Sequence, residues 1–340
     1  MSKLEQIIKQ AITRFGPMKV SDLMRYALQY PQQGYYQSKL AIGAAQDFIT
    51  APEISPAFAY ACARWIEEQW HVMQEPDDLW LVELGPGRGT LMKDCLLMLP
   101  DKIKAALKIM LIDSNRELSA LQQKSLQGYQ LVHKPHWSAL PAQKKLVMGN
   151  EFLDALPIDQ IIKHQSQWFW RALGLDPQGQ FQFCLGRAYV GVLPSEAQDF
   201  NEGALLEVPT EALSLCQTLA RDCIDFGGAA LLIDYGSPQF ESADTLQAVS
   251  KHKKVPLLEN LGLADLSAHV PFAWLRASLA QSPIEITLRA QGAWLKQAAP
   301  PPKLLKDKSA WQRLTAPEQM GELFQVLTLN APSASPLKAE

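Results

Sequence analysis

Leu79-Trp-Leu-Val82 ends in Glu83, passes through Gly85, Gly87 and Gly89, and continues into Leu91, Met92, Cys95, Leu96 and Leu99 at spacings that suit one helical face. This pattern predicts strand, tight turn and helix. Glycine is wanted in such a turn because the backbone takes conformations that a Cβ obstructs, and because a ligand must approach the main chain closely. The first strand of a doubly wound sheet delivers the loop to its carboxyl edge, where ligands bind. The fold class expected is α/β with a doubly wound, mainly parallel sheet.

Glycine spacing discriminates between ligands. A dinucleotide fingerprint reads Gly-x-Gly-x-x-Gly, whereas here the sixth position is Thr90 and the third glycine falls one residue early. Glu83 also puts a carboxylate beside the loop, an awkward neighbour for a pyrophosphate and a suitable one for a cationic or zwitterionic ligand. Acidic-x-Gly-x-Gly-x-Gly resembles the S-adenosylmethionine loops of class I methyltransferases. A nucleotide site, or a turn that is tight for structural reasons alone, are the alternatives that spacing leaves open.

At 340 residues the chain can bury a substantial core, as one enlarged domain or two. Hydrophobic residues at 47% and charged residues at 20% indicate a globular chain rather than a disordered one. The net charge of −3 gives no basis for holding nucleic acid by bulk electrostatics. Cys62, Cys95, Cys184, Cys216 and Cys223 lie far apart with no C-x-x-C, the pattern of buried free thiols in a reducing compartment. His133 and His136 are separated by Pro135 and lack a partner ligand at metal spacing, so a loop is expected there and no metal site. No apolar run approaches the ~20 residues of a membrane helix, and the N-terminus carries Glu5 early without a signal-peptide core. A cytoplasmic protein without membrane insertion is expected, or a mitochondrial matrix protein if the source is eukaryotic.

Leu4, Ile7, Ile8, Ala11, Ile12 and Phe15 recur at helical spacing up to Gly16-Pro17, and Val20, Leu23, Met24, Ala27 and Leu28 repeat the pattern. Gly34-Tyr35-Tyr36 and the stretch from Ile42 to Ser55 mix aromatics, acids and glycine without periodicity, the profile of an ordered functional loop. Ser55-Pro56 predicts an N-cap and first helical position. Ile109 to Ile112 predicts a buried strand ending in Asp113, where a doubly wound fold puts a carboxylate on ribose hydroxyls. Leu146 to Met148 predicts another, followed directly by Asn150, Glu151 and Asp154, the last two spaced to share a helical face. Trp168 to Leu175 and Gln180 to Leu185 read as a hairpin about Asp176-Pro-Gln-Gly179.

Ile233-Asp-Tyr-Gly236 ends a further buried strand. Polar loop is expected from 237 to 275, a half-buried strand over Ile284 to Leu288, a last helix over Met320 to Leu327 and a mobile tail over 331–340. The expected organisation is a helical and loop segment over 1–75 covering the active site, a core of 76–160 and 225–330, and a hairpin-plus-helix insertion for substrate over 161–224.

Gly34-Tyr-Tyr36, Asp47-Phe-Ile-Thr-Ala-Pro-Glu-Ile-Ser55, Glu83 to Leu91, Asn150-Glu-Phe-Leu-Asp-Ala-Leu-Pro157, Ile233 to Gly236, Thr245-Leu-Gln247, Asp265-Leu-Ser-Ala-His-Val270 and Met320-Gly321 form one set. With it the chain resembles the MidA-like class I S-adenosylmethionine-dependent methyltransferases, from about Gly34 to Gly321. The resemblance implies a Rossmann-like fold and S-adenosyl-L-methionine as cofactor. Mitochondrial members of that family serve complex I assembly by symmetrically dimethylating an arginine of a core subunit, so it further implies an arginine-bearing protein substrate. The family pattern has Gly where Gln46 stands, Gly-Glu where Ala59-Tyr60 stand, and acids where Trp170 and Pro271 stand. These departures fall on the substrate side.

The cofactor residues expected are Glu83, Gly85, Gly87, Gly89, Asp113, Ser114, Asn150 and Thr50. Methyl transfer is an in-line displacement in which alignment is the main contribution of the enzyme. A guanidinium acceptor, with a pKa above ~12, must be held by carboxylates that localise its charge and take up a proton. Glu151, Asp154, Asp47 and Tyr36 are the residues expected there, with Glu53 beside Asp47 and Tyr35 beside Tyr36. A non-catalytic assembly factor that keeps the fold is the alternative, with a nucleotide-dependent oxidoreductase behind it. Monomer and homodimer are both left open.

Overall fold

The computed structural model of the chain describes residues 2–37, 50–250 and 253–332. They fall into two compact units. One comprises the described residues within 1–49, 153–214 and 236–277, the other those within 50–152, 215–235 and 278–340.

The second unit is built on one sheet, ordered Glu285–Ala290, Phe324–Asn330, Gly228–Ser237, Lys145–Asn150, Leu79–Leu84, Leu107–Ile112 and Leu131–Lys134. The last five pair in parallel. Phe324–Asn330 is antiparallel to both of its neighbours, so it alone runs against the rest. Parallel strands covered on both faces need apolar side chains in succession. Leu81, Leu111, Leu146, Met148 and Leu231 meet Phe58, Cys62 and Ile66 of the helix Pro56–Val72, and Met92, Cys95 and Leu96 of the helix Thr90–Met98. Each fully buried side chain of this size contributes ~1.5–3 kcal/mol. Ser55 caps Pro56–Val72 by accepting the Ala57 N–H, with Pro56 at the first position, as its sequence predicts.

In the first unit a capping box between Ser2 and Glu5 starts the helix Lys3–Phe15, and Val20–Gln29 follows. Leu4, Ile8, Ile12 and Leu23 bury their apolar stripe against Leu173 and Leu261. Beneath lies an antiparallel sheet in the order Met18–Lys19, Gln167–Leu175, Asp159–His164, Leu205–Val208, with Phe181–Ala188 also on Gln167–Leu175. The predicted hairpin turns as expected, Gly179 N donating to Asp176 O at 2.9 Å. Trp170, standing where the family pattern has an acid, carries the Lys19 ammonium 3.6 Å from its ring centre.

Several elements differ from their sequence reading. Phe324–Asn330 is a strand, not the end of a last helix; six of its seven residues are buried, so no alternation marks it. Gln247–Ser250, Lys253–Val255 and Asp265–Ser267 form a small antiparallel sheet where polar loop is expected, each too short to show a period. His133 lies in the strand Leu131–Lys134 rather than a loop. Residues 50–75 go with the second unit instead of with 1–49, because Pro56–Val72 packs on the parallel sheet, and 236–277 goes with the first. Cys62, Cys95, Cys216 and Cys223 are buried free thiols, as expected, and Cys184 is half-buried.

Candidate active site

Register puts the chemistry of the second unit at one edge of its sheet. Leu84 lies opposite Ile112 and Gly149, and Ile233 opposite Asn150, so Gly85, Asp113 and Glu151 all leave strands at the carboxyl edge. Gly85 N donates to Ile112 O at 2.9 Å and Gly89 N to Pro86 O at 2.7 Å, closing the turn. All three loop glycines have φ between +51° and +77°. A Cβ on Gly85 would lie 2.8 Å from Phe152 Cδ2, whereas one on Gly87 would meet nothing within 4 Å. The backbone at Gly87 thus borders open space that a ligand can enter.

Glu83 is 3% exposed. It accepts the Met92 N–H, while its Oε2 has no hydrogen-bond partner among the described residues. Burial pushes its carboxyl up to about 8, and Asp113 adds to the rise. Asp113 is likewise pushed up to about 6 by burial, against the opposing bonds from Asn115 N–H to Oδ1 at 2.8 Å and from Gln122 Nε2 to Oδ2 at 2.9 Å. Ser114 stands next to it, and Asn115 caps the helix Arg116–Ser125. Asn150 Oδ1 is buried and also without a partner among the described residues. An unsatisfied buried carboxylate oxygen suits a cationic group, and Asp113 at a half-buried strand end suits hydroxyl donors. These residues therefore fit a ligand that carries an ammonium and a ribose.

Glu151 differs from its sequence reading. It takes φ +51°, and residues 151–157 form turns, so Glu151 and Asp154 do not share a helical face. Glu151 N donates to Ile233 O at 2.9 Å, prolonging the sheet, after which the chain turns sharply. Its Oε1 accepts from Ala51 N and Asn150 Nδ2, each at 3.2 Å. Ala51–Ile54 is a single helical turn whose N-cap, Thr50, makes no side-chain capping bond, so Glu151 serves as its cap. Glu53 on that turn is exposed.

Asp154 and Tyr36 belong to the first unit. Tyr36 donates its hydroxyl to Asp265 Oδ1 at 2.8 Å, and Ala268 N donates to Asp154 O at 3.1 Å. Burial, then Asp265 and Asp154, hold the Tyr36 phenol well above its usual value. Tyr35 is buried with its ring edge-on to Tyr36. Asp47 lies outside the described residues. Sequence reading missed Gln122, Phe152 and Asp265. Asp265 and Phe152 carried a signal, each standing inside a family motif, Asp265-Leu-Ser-Ala-His-Val270 and Asn150-Glu-Phe-Leu-Asp-Ala-Leu-Pro157, whereas Gln122 carried none.

The chain matches, over residues 61–287, the family model of an S-adenosyl-L-methionine-dependent methyltransferase. It is 30% identical to the mitochondrial protein arginine methyltransferase NDUFAF7 of Danio rerio, over 92% of this chain and 83% of that protein. With the Drosophila melanogaster homologue of that protein it shares 31% identity, over 96% and 84% of the two chains. A crystal structure of a protein from Burkholderia thailandensis bound to S-adenosyl-homocysteine superposes with a TM-score of 0.82 at 25% identity, over 96% of this chain and 91% of that one. By family model, relatives and fold alike, the chain belongs to the MidA-like class I methyltransferases, enzymes that use S-adenosyl-L-methionine.

Proposed function

We propose that the protein transfers the methyl group of S-adenosylmethionine to an arginine side chain of a partner protein. The observation that carries the cofactor half is the pair of raised carboxylates, Glu83 and Asp113, flanking a loop of left-handed glycines with open space at Gly87. The acceptor half is supported by relatives about 30% identical that are named protein arginine methyltransferases. A respiratory complex I-type subunit is the substrate proposed. The compartment proposed is the cytoplasm for a bacterial chain and the mitochondrial matrix for a eukaryotic one, the relatives being named mitochondrial. Among the described residues, no helix is long and apolar enough to cross a membrane.

In this reading the bound cofactor supplies an electrophilic methyl on a sulfonium. Glu83 and Asn150 hold its amino-acid end, Gly85, Gly87 and Gly89 give it main-chain contact, Asp113 and Ser114 take its ribose, and Thr50 borders it. Glu151 is a positioning residue that holds the Ala51–Ile54 turn through its cap. Asp154 localises the guanidinium charge and takes the proton released as the nitrogen is methylated. Asp47 would add a second carboxylate, and Tyr36 orients the acceptor through its bond to Asp265. Desolvation strengthens each of these charge contacts.

The test is calorimetric binding of S-adenosylmethionine, followed by mass spectrometry of respiratory-chain subunits from cells with and without the gene. Cofactor binding together with a gene-dependent methylarginine is expected. Binding without any methylarginine would favour a scaffold that retains the fold, and tight binding of NADH would favour an oxidoreductase.

A further inference from the structure

Gln122 lies on Arg116–Ser125, a helix whose other residues are mostly polar and exposed, yet Gln122 itself is fully buried. Its Nε2 is 2.9 Å from Asp113 Oδ2 and 2.9 Å from the carbonyl oxygen of Gly87. An amide nitrogen carries two hydrogens, so both are committed. Two oxygen acceptors at that distance also fix which end of the amide faces them, since Oε1 in its place would meet like partners. The Oε1 end is left buried without a partner among the described residues. Methionine would fill the same volume without burying an unpaired oxygen, so packing does not explain an amide here.

We propose that Gln122 is the positioning residue of the cofactor site, tying the carboxylate of Asp113 to the glycine loop so that ribose recognition and loop geometry hold one another in register. The proposal rests on Asp113 as the ribose-binding carboxylate. Affinity already declines below about pH 8 as Glu83 must lose its proton to hold the ammonium. Asp113 must be ionised to accept two hydroxyls, so a second, acid-side step in that decline has its midpoint at about 6. The Gln122 bond lowers that pKa, as does the Asn115 N–H. Removing the Gln122 bond therefore raises it, and the acid-side midpoint of binding moves to higher pH. Among the described residues, Glu83 is a titratable group whose carboxyl Asp113 raises, so the two face one another electrostatically. The strand on its other side contributes a main-chain carbonyl, Lys134 O, which accepts Asp113 N–H at 3.0 Å.

The experiment is calorimetric titration of S-adenosyl-homocysteine into the full-length protein and its Gln122→Met variant from pH 5 to 8, with hydrogen exchange at Gly87 to Gly89 in the free proteins. Gln122→Met should bind about tenfold more weakly at pH 8, shift the midpoint upward and exchange faster in the loop. Gln122→Asn, one methylene short of both acceptors, carries the same expectation should the methionine variant not fold. Unchanged affinity, midpoint and exchange overturn the proposal. If Asp113→Ala loses binding while the Gln122 variants do not, the role of Gln122 fails and that of Asp113 stands. If Asp113→Ala itself binds normally, the ribose assignment beneath the proposal fails with it.

Discussion

Glu151 Oε1 accepts the N–H of Ala51 at 3.2 Å across 100 residues of sequence, so a residue at a strand end fixes the first turn of a separate helix. The φ of +51° at Glu151 aims the side chain there. A non-glycine residue in that region costs of order 1–3 kcal/mol. The cap on Ala51–Ile54 is the interaction gained against that strain.

Glu151→Ala should therefore lower stability by ~0.5–2 kcal/mol, the usual cost of losing a cap. Glu151→Gln keeps an oxygen for the Ala51 N–H and should lose less than half as much. Urea denaturation of both variants checks this, and equal stability losses would remove the cap from the account.

Glu83 is protonated in the fold and ionised in the unfolded chain between about pH 4.5 and 8. The native state binds the extra proton, so stability falls as pH rises through that window, by about 1.4 kcal/mol per pH unit across it at most. Glu83→Gln removes the dependence. Its Tm should match wild type near pH 4 and exceed it increasingly toward pH 8, while cofactor affinity drops. Wild-type binding of S-adenosylmethionine at pH 7 should release protons as Glu83 ionises against the ammonium, measured by calorimetry in buffers of differing ionisation enthalpy. No proton release would detach Glu83 from the ligand.

Asp113→Ala should weaken cofactor binding by ~1.5–3 kcal/mol, the range for hydrogen bonds to a charged group. Gly87→Ala should weaken it too, because φ +51° opposes any Cβ. No neighbour lies within 4 Å of that Cβ, so the Gly87 variant should stay folded. Calorimetry beside circular dichroism separates the two effects.

Lys145 is fully buried on the strand Lys145–Asn150 and meets Asp222 Oδ2 at 3.0 Å, with the Phe226 ring centre 4.9 Å from its ammonium. Asp222→Ala would strand a buried charge and should cost ~2–4 kcal/mol, at or below the usual range because Asp222 is partly exposed. Lys145→Met should cost less than Asp222→Ala in the same denaturation assay. The reverse order would contradict the desolvation argument.

The parallel core was legible because Leu79–Leu84, Leu107–Ile112 and Lys145–Asn150 are each apolar and each leads into a polar or glycine-rich turn, a pattern that physics ties to buried strands with functional ends. Phe324–Asn330 has the same buried character, and two-sided burial erased the alternation that separates strand from helix. Gln122 was illegible because a lone buried amide in a polar helix looks like its exposed neighbours; only the third dimension brings Asp113 and Gly87 to it. The conformation of Glu151 was hidden for a related reason, since its Ala51 partner stands far away in sequence.

The most direct measurement is methylarginine on the candidate partner in a deletion strain complemented by wild type or by Asp154→Asn, with S-adenosyl-homocysteine affinity measured on both purified proteins. Wild type should restore the methyl mark, and Asp154→Asn should leave it absent while binding the cofactor product with nearly unchanged affinity. Full rescue of the strain by Asp154→Asn without any methyl mark would contradict arginine methylation as the function and leave a scaffold in its place.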